Sequence, residues 1–170
     1  YQNIPKGTGD AVLKTQKYIK NKYFLMLLPD DLIIKKNCSK AMIRAHKKYK
    51  ASVMASMKVN KKTVSRWGIY KLNKKLNKTD YEIDGVVEKP SLKNAPSNNA
   101  VIGRYILPRT IFKKLKSLKP SKGNEIHITD AIQELINNKE KFVAHNFEGK
   151  YLDCGTMKGY MNSSKVIGKL

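Results

Sequence analysis

With 170 residues, 41% of them hydrophobic, the chain carries enough apolar material for a core, and it reads as one domain over 1–170. No run of about 18 apolar residues occurs, which excludes a membrane-spanning helix. Tyr1-Gln-Asn-Ile-Pro-Lys6 lacks the apolar stretch of a secretory signal, so a cytoplasmic location is the default.

A net charge of +22 points first to nucleic acid. Against that, 31 of the 35 basic residues are Lys, and only Arg44, Arg66, Arg104 and Arg109 are Arg. Base-reading and phosphate-forking sites favour Arg. The Lys are spread along the whole chain beside 14 Asn, the composition that AT-rich codons produce. Most of the charge is therefore read as solvated surface rather than as a nucleic-acid interface. Cys38 and Cys154 have neither metal-ligand spacing nor the density of a disulfide scaffold.

In chain order, Lys6-Gly-Thr-Gly-Asp-Ala-Val12 comes first and leads into a helix over 10–20. Two glycines before a helix let backbone N–H groups approach a ligand and aim a helix N-terminus at it, although they also make ordinary turns. Gln2 offers an amide either to a base edge or to solvent. Phe24-Leu-Met-Leu-Leu-Pro-Asp-Asp31 follows. Its unbroken apolar run reads as a strand buried on both faces in the middle of a sheet, ended by Pro29. Ligands of open α/β sheets sit beyond the carboxyl ends of strands, where Asp30 and Asp31 fall. A carboxylate there suits a hard cation such as Mg²⁺, or else a turn with local backbone bonds.

Ser39 is expected to cap a helix over 40–50 with Ala41, Met42, Ala45 and Tyr49 on one face, and 51–59 is β-rich. This βαβ succession argues for a largely parallel, wound sheet. Segments 67–72 and 81–89 read as a hairpin around a Lys/Asn turn. The second ends in Gly85-Val-Val-Glu-Lys-Pro90. Adjacent strand residues point to opposite faces unless the backbone bends. Glu88 beside Lys89 thus reads either as a hydroxyl and phosphate pair for a sugar phosphate or as an edge salt pair. A loop over 90–98, a strand over 99–107, helices over 109–118 and 129–138, a strand over 142–147 and a helix over 156–165 complete the pass. Tyr151-Leu-Asp-Cys-Gly155 places a second carboxylate, Asp153, at the end of an apolar stretch. It would complete a Mg²⁺ site with Asp30. No His is placed to activate Cys154, which reads as a small buried residue.

In their order and spacing from Gln2 to Tyr160, these segments resemble the bacterial UTP–glucose-1-phosphate uridylyltransferases. The matching pieces are Lys6-Gly-Thr-Gly-Asp-Ala-Val12, Leu28-Pro-Asp-Asp-Leu32, Gly85-Val-Val-Glu-Lys-Pro90, Ala95-Pro-Ser-Asn98, Val101-Ile-Gly-Arg-Tyr-Ile-Leu107, Glu125-Ile-His-Ile-Thr-Asp-Ala-Ile132 and Asp153-Cys-Gly155 with Gly159-Tyr160. The resemblance implies an α/β, Rossmann-like nucleotide-diphospho-sugar transferase fold, a mixed and mostly parallel sheet flanked by helices, incomplete at its N-terminus. It implies transfer of uridylyl from UTP to glucose 1-phosphate, giving UDP-glucose and pyrophosphate. By the same resemblance Gln2 and the Gly7 backbone hold uracil, and Asp30 and Asp153 hold Mg²⁺. Glu88 and the backbone at Gly68 and Val101 hold glucose, and Lys89 meets its phosphate.

The family's Gly-rich triphosphate loop and its C-terminal helices have no counterpart here. The expectation is a fragment, nearly inactive alone, of a protein that forms a homo-oligomer. Trp67 stands where the family usually has Tyr, and Asn124 and His127 also depart from its pattern. The alternatives are a thymidylyl- or guanylyltransferase of the same fold, and a basic polyanion-binding module without catalysis.

Overall fold

Strands and helices alternate along the chain in the computed structural model, which describes residues 1–170, the side chain of Lys122 excepted. The strands are β1 (Tyr23–Leu27), β2 (Asp31–Ile34), β3 (Ser52–Lys58), β4 (Gly68–Lys75), β5 (Asp80–Glu88), β6 (Asn99–Pro108), β7 (Phe142–Asn146) and β8 (Lys150–Asp153). The α-helices are α1 (Thr8–Lys14), α2 (Cys38–Tyr49), α3 (Ile111–Ser117), α4 (Ile128–Asn137) and α5 (Met157–Ile167).

Six strands form one mixed sheet in the order β1-β6-β3-β7-β5-β4, and the β4–β5 hairpin curls back so that Ile69 also pairs with Ala100 of β6. The α/β class and the mixed sheet flanked by helices agree with the sequence reading. Its mostly parallel pairing does not: only β3 and β7 pair in parallel. The reason lies in the connections. β4 and β5 are joined by a short turn, which allows only antiparallel pairing, whereas parallel neighbours need a crossover of about a dozen residues or more.

The Phe24–Leu28 run is a second correction. β1 lies at the sheet edge, paired with β6 alone, and it is not buried on both faces: Leu25 is 38% exposed and Leu27 49%. Phe24 and Met26, on the opposite face, do pack into the core. The composition of the run matches a central strand; its neighbours make it an edge.

Alternation along the central strands divides the core between the two sheet faces. On one face Met54, Tyr105 and Leu107 meet Phe112 and Leu115 of α3 and Ile132 and Leu135 of α4. On the other, Val53, Ala55, Ile102, Ile106 and Val143 meet Cys38, Met42 and Ala45 of α2. Burying such Leu, Ile and Phe side chains contributes about 1.5–3 kcal/mol each. The cap of α2 is Asn37, not Ser39: its side chain accepts from the Lys40 amide at 2.9 Å. Helix α1 ends at Lys14, well short of the predicted residue 20.

One polar cluster is buried with this core. Asp80 accepts from His145 Nδ1 at 2.6 Å, Asn77 at 2.7 Å and the Tyr49 hydroxyl at 3.0 Å. Burial is the largest influence on its carboxyl and pushes its pKa up. The hydrogen bonds from His145, Asn77 and Tyr49 together outweigh it and hold the carboxyl below its ordinary range.

Candidate active site

The pairing that organises the site is a small second sheet, β2 with β8, which the sequence reading missed. It sets Asp31 directly opposite Asp153 and Leu32 opposite Leu152. Beyond it, the Cys154 amide donates to the Asp30 carbonyl at 2.7 Å. Helix α5 fixes β8 from behind: the Ser163 hydroxyl donates to the Asp153 carbonyl at 3.0 Å.

The three carboxylates brought together here do different things. Asp31 is fully engaged, accepting from the Gly103 amide at 2.6 Å and from the Tyr151 hydroxyl in a short contact. Tyr151 is held protonated well above the ordinary phenol range, first by burial and then by that bond. Asp31 therefore works as a tie between β2, β6 and β8. Among the described residues the Asp153 carboxylate accepts only the Gly155 amide, at 2.9 Å, and has Arg66 Nη2 at 3.7 Å. The Asp30 carboxylate has no hydrogen-bond or ion-pair partner among the described residues; only its backbone carbonyl is engaged, by Cys154.

A side chain at Gly155 would fill the space between the Asp30 and Asp153 carboxylates. A Cβ there would lie 2.8 Å from Asp30 Oδ2 and 3.5 Å from Asp153 Oδ1. The chemistry of this donor set fits Mg²⁺, which takes hard oxygen ligands and commonly only one or two protein carboxylates, the rest coming from phosphates and water. Among the described residues no group of three or more His, Cys, Asp or Glu forms a closed metal site.

Asp31 also borders a cleft of about 240 Å³, lined among others by Gly68, Glu88, Lys89, Val101 and His127. The backbone bends between the two members of the Glu-Lys pair. Lys89 has φ +45, a left-handed bend just past β5, and its amide donates to the Trp67 carbonyl at 2.9 Å. The bend breaks the alternation of the strand, so both Glu88 and Lys89 line the one cleft. Gly68 pairs with Glu88 across the hairpin, and a Cβ on it would sit 3.1 Å from Glu88 Oε2 and 3.3 Å from Val101. The Thr129 hydroxyl, at the start of α4, donates to Glu88 Oε2 at 3.2 Å. Tyr105, buried and lining the same cleft, is held protonated far above its ordinary range. Burial is the main cause, followed by the negative field of Asp31, Glu88 and Asp30.

Gln2 lies apart from these groups. Its amide nitrogen donates to the Gly7 carbonyl at 3.1 Å and to Asp10 Oδ2 at 2.7 Å, holding the first turn of α1. Both amide protons are thus used, and the side-chain oxygen is what remains for a ligand. Thr8, between Gly7 and Gly9, reaches the cleft. Arg66, Thr129 and Tyr151 were not singled out in the sequence; only the pairing of distant segments gives them a place here. Cys154 is half-buried beside Asp153, and Cys38, on α2, is pushed up to about 11, by burial first.

Carboxylates and a Glu-Lys pair around an open cleft at the ends of sheet strands are a donor set that suits a phosphorylated ligand with a hard cation. The comparisons give the family. Residues 1–169 match the nucleotidyl transferase family, and the chain belongs to it. Its sequence is 38% identical over 168 residues to UTP–glucose-1-phosphate uridylyltransferase 2 of Streptococcus pyogenes serotype M3, covering 96% of this chain and 56% of that one. A UDP-glucose pyrophosphorylase crystallised with UDP-glucose matches with a TM-score of 0.92 at 40% identity, over 99% of this chain and 64% of its own. A UTP-bound UGPase from Acinetobacter baumannii matches with a TM-score of 0.82 at 32% identity, over 97% and 57%. The resemblance read from the motifs is borne out, and the chain spans little more than half the length of the curated relatives.

Proposed function

We propose that this chain carries the sugar-phosphate and metal-binding part of a uridylyltransferase that converts UTP and glucose 1-phosphate to UDP-glucose and pyrophosphate. The observation that carries the reading is the left-handed bend at Lys89, which turns Glu88 and Lys89 into one cleft bordered by Asp31, the chain neighbour of Asp30 and the ladder partner of Asp153. In the reaction a phosphate oxygen of glucose 1-phosphate forms a bond to the α-phosphorus of UTP. The bond from that phosphorus to the bridging oxygen breaks, and pyrophosphate leaves with the electron pair. Such transfers rest on alignment and neutralisation of charge.

Each residue has a part in this. Glu88, positioned by Thr129, accepts from sugar hydroxyls, and the backbone at Gly68 and Val101 closes on the ring. Lys89 meets the phosphate as a point charge. Asp30 and Asp153 would hold Mg²⁺, which supplies charge neutralisation at the phosphates when bound. Near Gly7, the free Gln2 oxygen is an acceptor for the uracil N–H. A cytoplasmic setting suits these substrates. In the described residues no helix is long and apolar enough to cross a membrane.

Thermal unfolding of the chain with sugar nucleotides tests the reading. UDP-glucose with Mg²⁺ at about ten times its Kd should raise Tm by about 3–6 °C. A rise with dTDP-glucose or GDP-mannose in place of UDP-glucose would move the assignment to a thymidylyl- or guanylyltransferase. No rise with any of them, together with salt-sensitive binding of polyanions, would favour the basic module.

A further inference from the structure

Arg66 stands where two clefts meet. One is the Glu88–Lys89 cleft. The other, about 390 Å³, lies between β8 and α5 and is lined by Asp153, Thr156 and Lys158 among others. The Arg66 guanidinium rests between two partners: Nη2 is 3.7 Å from Asp153 Oδ2, and Cζ is 5.9 Å from the centre of the Trp67 ring. The side chain is 61% exposed, and among the described residues no hydrogen bond holds its head. An exposed ion pair of this kind is weak, and a ring face adds little more. The Asp153 oxygen that it approaches is the one not taken by the Gly155 amide. A divalent cation on that oxygen and a guanidinium in the same few ångströms repel each other, and the long Arg stem has the mouth of the neighbouring cleft to move to. There its planar fork suits a phosphate better than a Lys would.

We propose that Arg66 is a placeholder cation. It neutralises Asp153 while the metal position is unfilled, is displaced when a divalent ion takes the carboxylate, and is thereby released to the mouth of the Glu88–Lys89 cleft. Metal loading and phosphate binding are coupled through this one side chain. The inference rests on the reading of Asp153 as a metal ligand, and the test separates the two.

The 170-residue chain is examined by NMR at increasing Mn²⁺, following paramagnetic broadening of the Gly155 amide. In parallel, increasing Mg²⁺ is followed by the emission of Trp67, the only tryptophan. Arg66→Gln should lower the Mn²⁺ concentration for half-broadening about two- to fivefold, in proportion to the weak pair removed. Arg66→Lys, which keeps the charge, should stay at the wild-type value. Mg²⁺ should change Trp67 emission in the wild type and leave it unmoved in Arg66→Gln. Asp153→Asn should abolish the Gly155 broadening. If it does, and Arg66→Gln broadens like the wild type or keeps the wild-type Trp67 response, the placeholder role is overturned and the metal reading survives. If Asp153→Asn broadens like the wild type, or if no chain broadens at Gly155, the metal reading falls and takes the proposal with it.

Discussion

The chain handles its aspartates in two opposite ways. Asp80 is 4% exposed and accepts from four side chains, Tyr49 of α2, Asn77 and Thr79 of the β4–β5 turn and His145 of β7. Asp30 is exposed and Asp153 half-buried, the carboxylate of the one with no partner among the described residues and that of the other with a backbone amide and a loose guanidinium. A carboxylate whose lone pairs are all used can only hold the fold together. One whose lone pairs are left open in a fold that satisfies its other polar groups is available to a ligand. Asp31 makes the contrast sharper. It adjoins Asp30 in the chain but is tied to Gly103 and Tyr151, so adjacency in sequence does not decide which role a carboxylate takes.

The contrast is broken or sharpened by substitutions that keep shape and remove charge. In a form of the protein carrying the rest of its relatives' length, Asp30→Asn and Asp153→Asn should each lower Mg²⁺-dependent pyrophosphate release by more than about 100-fold. Each should leave stability within about 0.5 kcal/mol of the parent, as surface changes do. Steady-state turnover and thermal unfolding on the same samples check both halves. Lys89→Ala should lower kcat/KM for glucose 1-phosphate by about 100-fold while UTP binding is little changed. Unchanged kinetics would reduce the Glu-Lys pair to an edge salt bridge.

Asp80→Asn should show the reverse profile: a loss of about 1–3 kcal/mol from a buried network left partly unsatisfied, with turnover of the folded protein retained. Turnover lost at unchanged stability would erase the distinction between the two regions. The pH dependence has a definite sign. Because the folded Asp80 carboxyl titrates below its unfolded value, the unfolded chain holds the extra proton between the two. The stabilisation is complete above about pH 4 and is lost as pH falls through the folded value, a loss that denaturant unfolding of Asp80→Asn should not show. The smallest effect belongs to Thr129→Val, which removes one hydroxyl donor to Glu88. KM for glucose 1-phosphate should rise about three- to tenfold with kcat nearly unchanged, and Thr129→Ser should restore it.

Much of this was legible in the residues. Leu28-Pro-Asp-Asp-Leu32 and Asp153-Cys-Gly155 marked the open carboxylates, and Gly85-Val-Val-Glu-Lys-Pro90 marked the cleft. What escaped has physical reasons. β2 and β8 are four residues each and pair across some 120 positions, so no local periodicity announces them. The geometry of Glu88 and Lys89 depends on a left-handed Lys, and only glycine signals such a bend in a sequence. Asp80 and His145 lie 65 positions apart without a shared motif, so nothing foretold their buried pair. Arg66 was visible only as one of four Arg, with nothing to tie it to a carboxylate.

The open edge of β1 gives the charge of the chain a role in solution. Leu25 and Leu27 are exposed beside a row of backbone groups that, among the described residues, no strand covers on that side, a surface on which a second extended chain can build. Two copies approaching through it each bring +22, and their mutual repulsion keeps the dispersion colloidally stable at low ionic strength. Salt shortens that repulsion to a Debye length of about 3 Å near 1 M, within contact range of the edge. Light scattering should therefore rise with salt, and Leu25→Lys, which places a like charge on the edge itself, should hold it down.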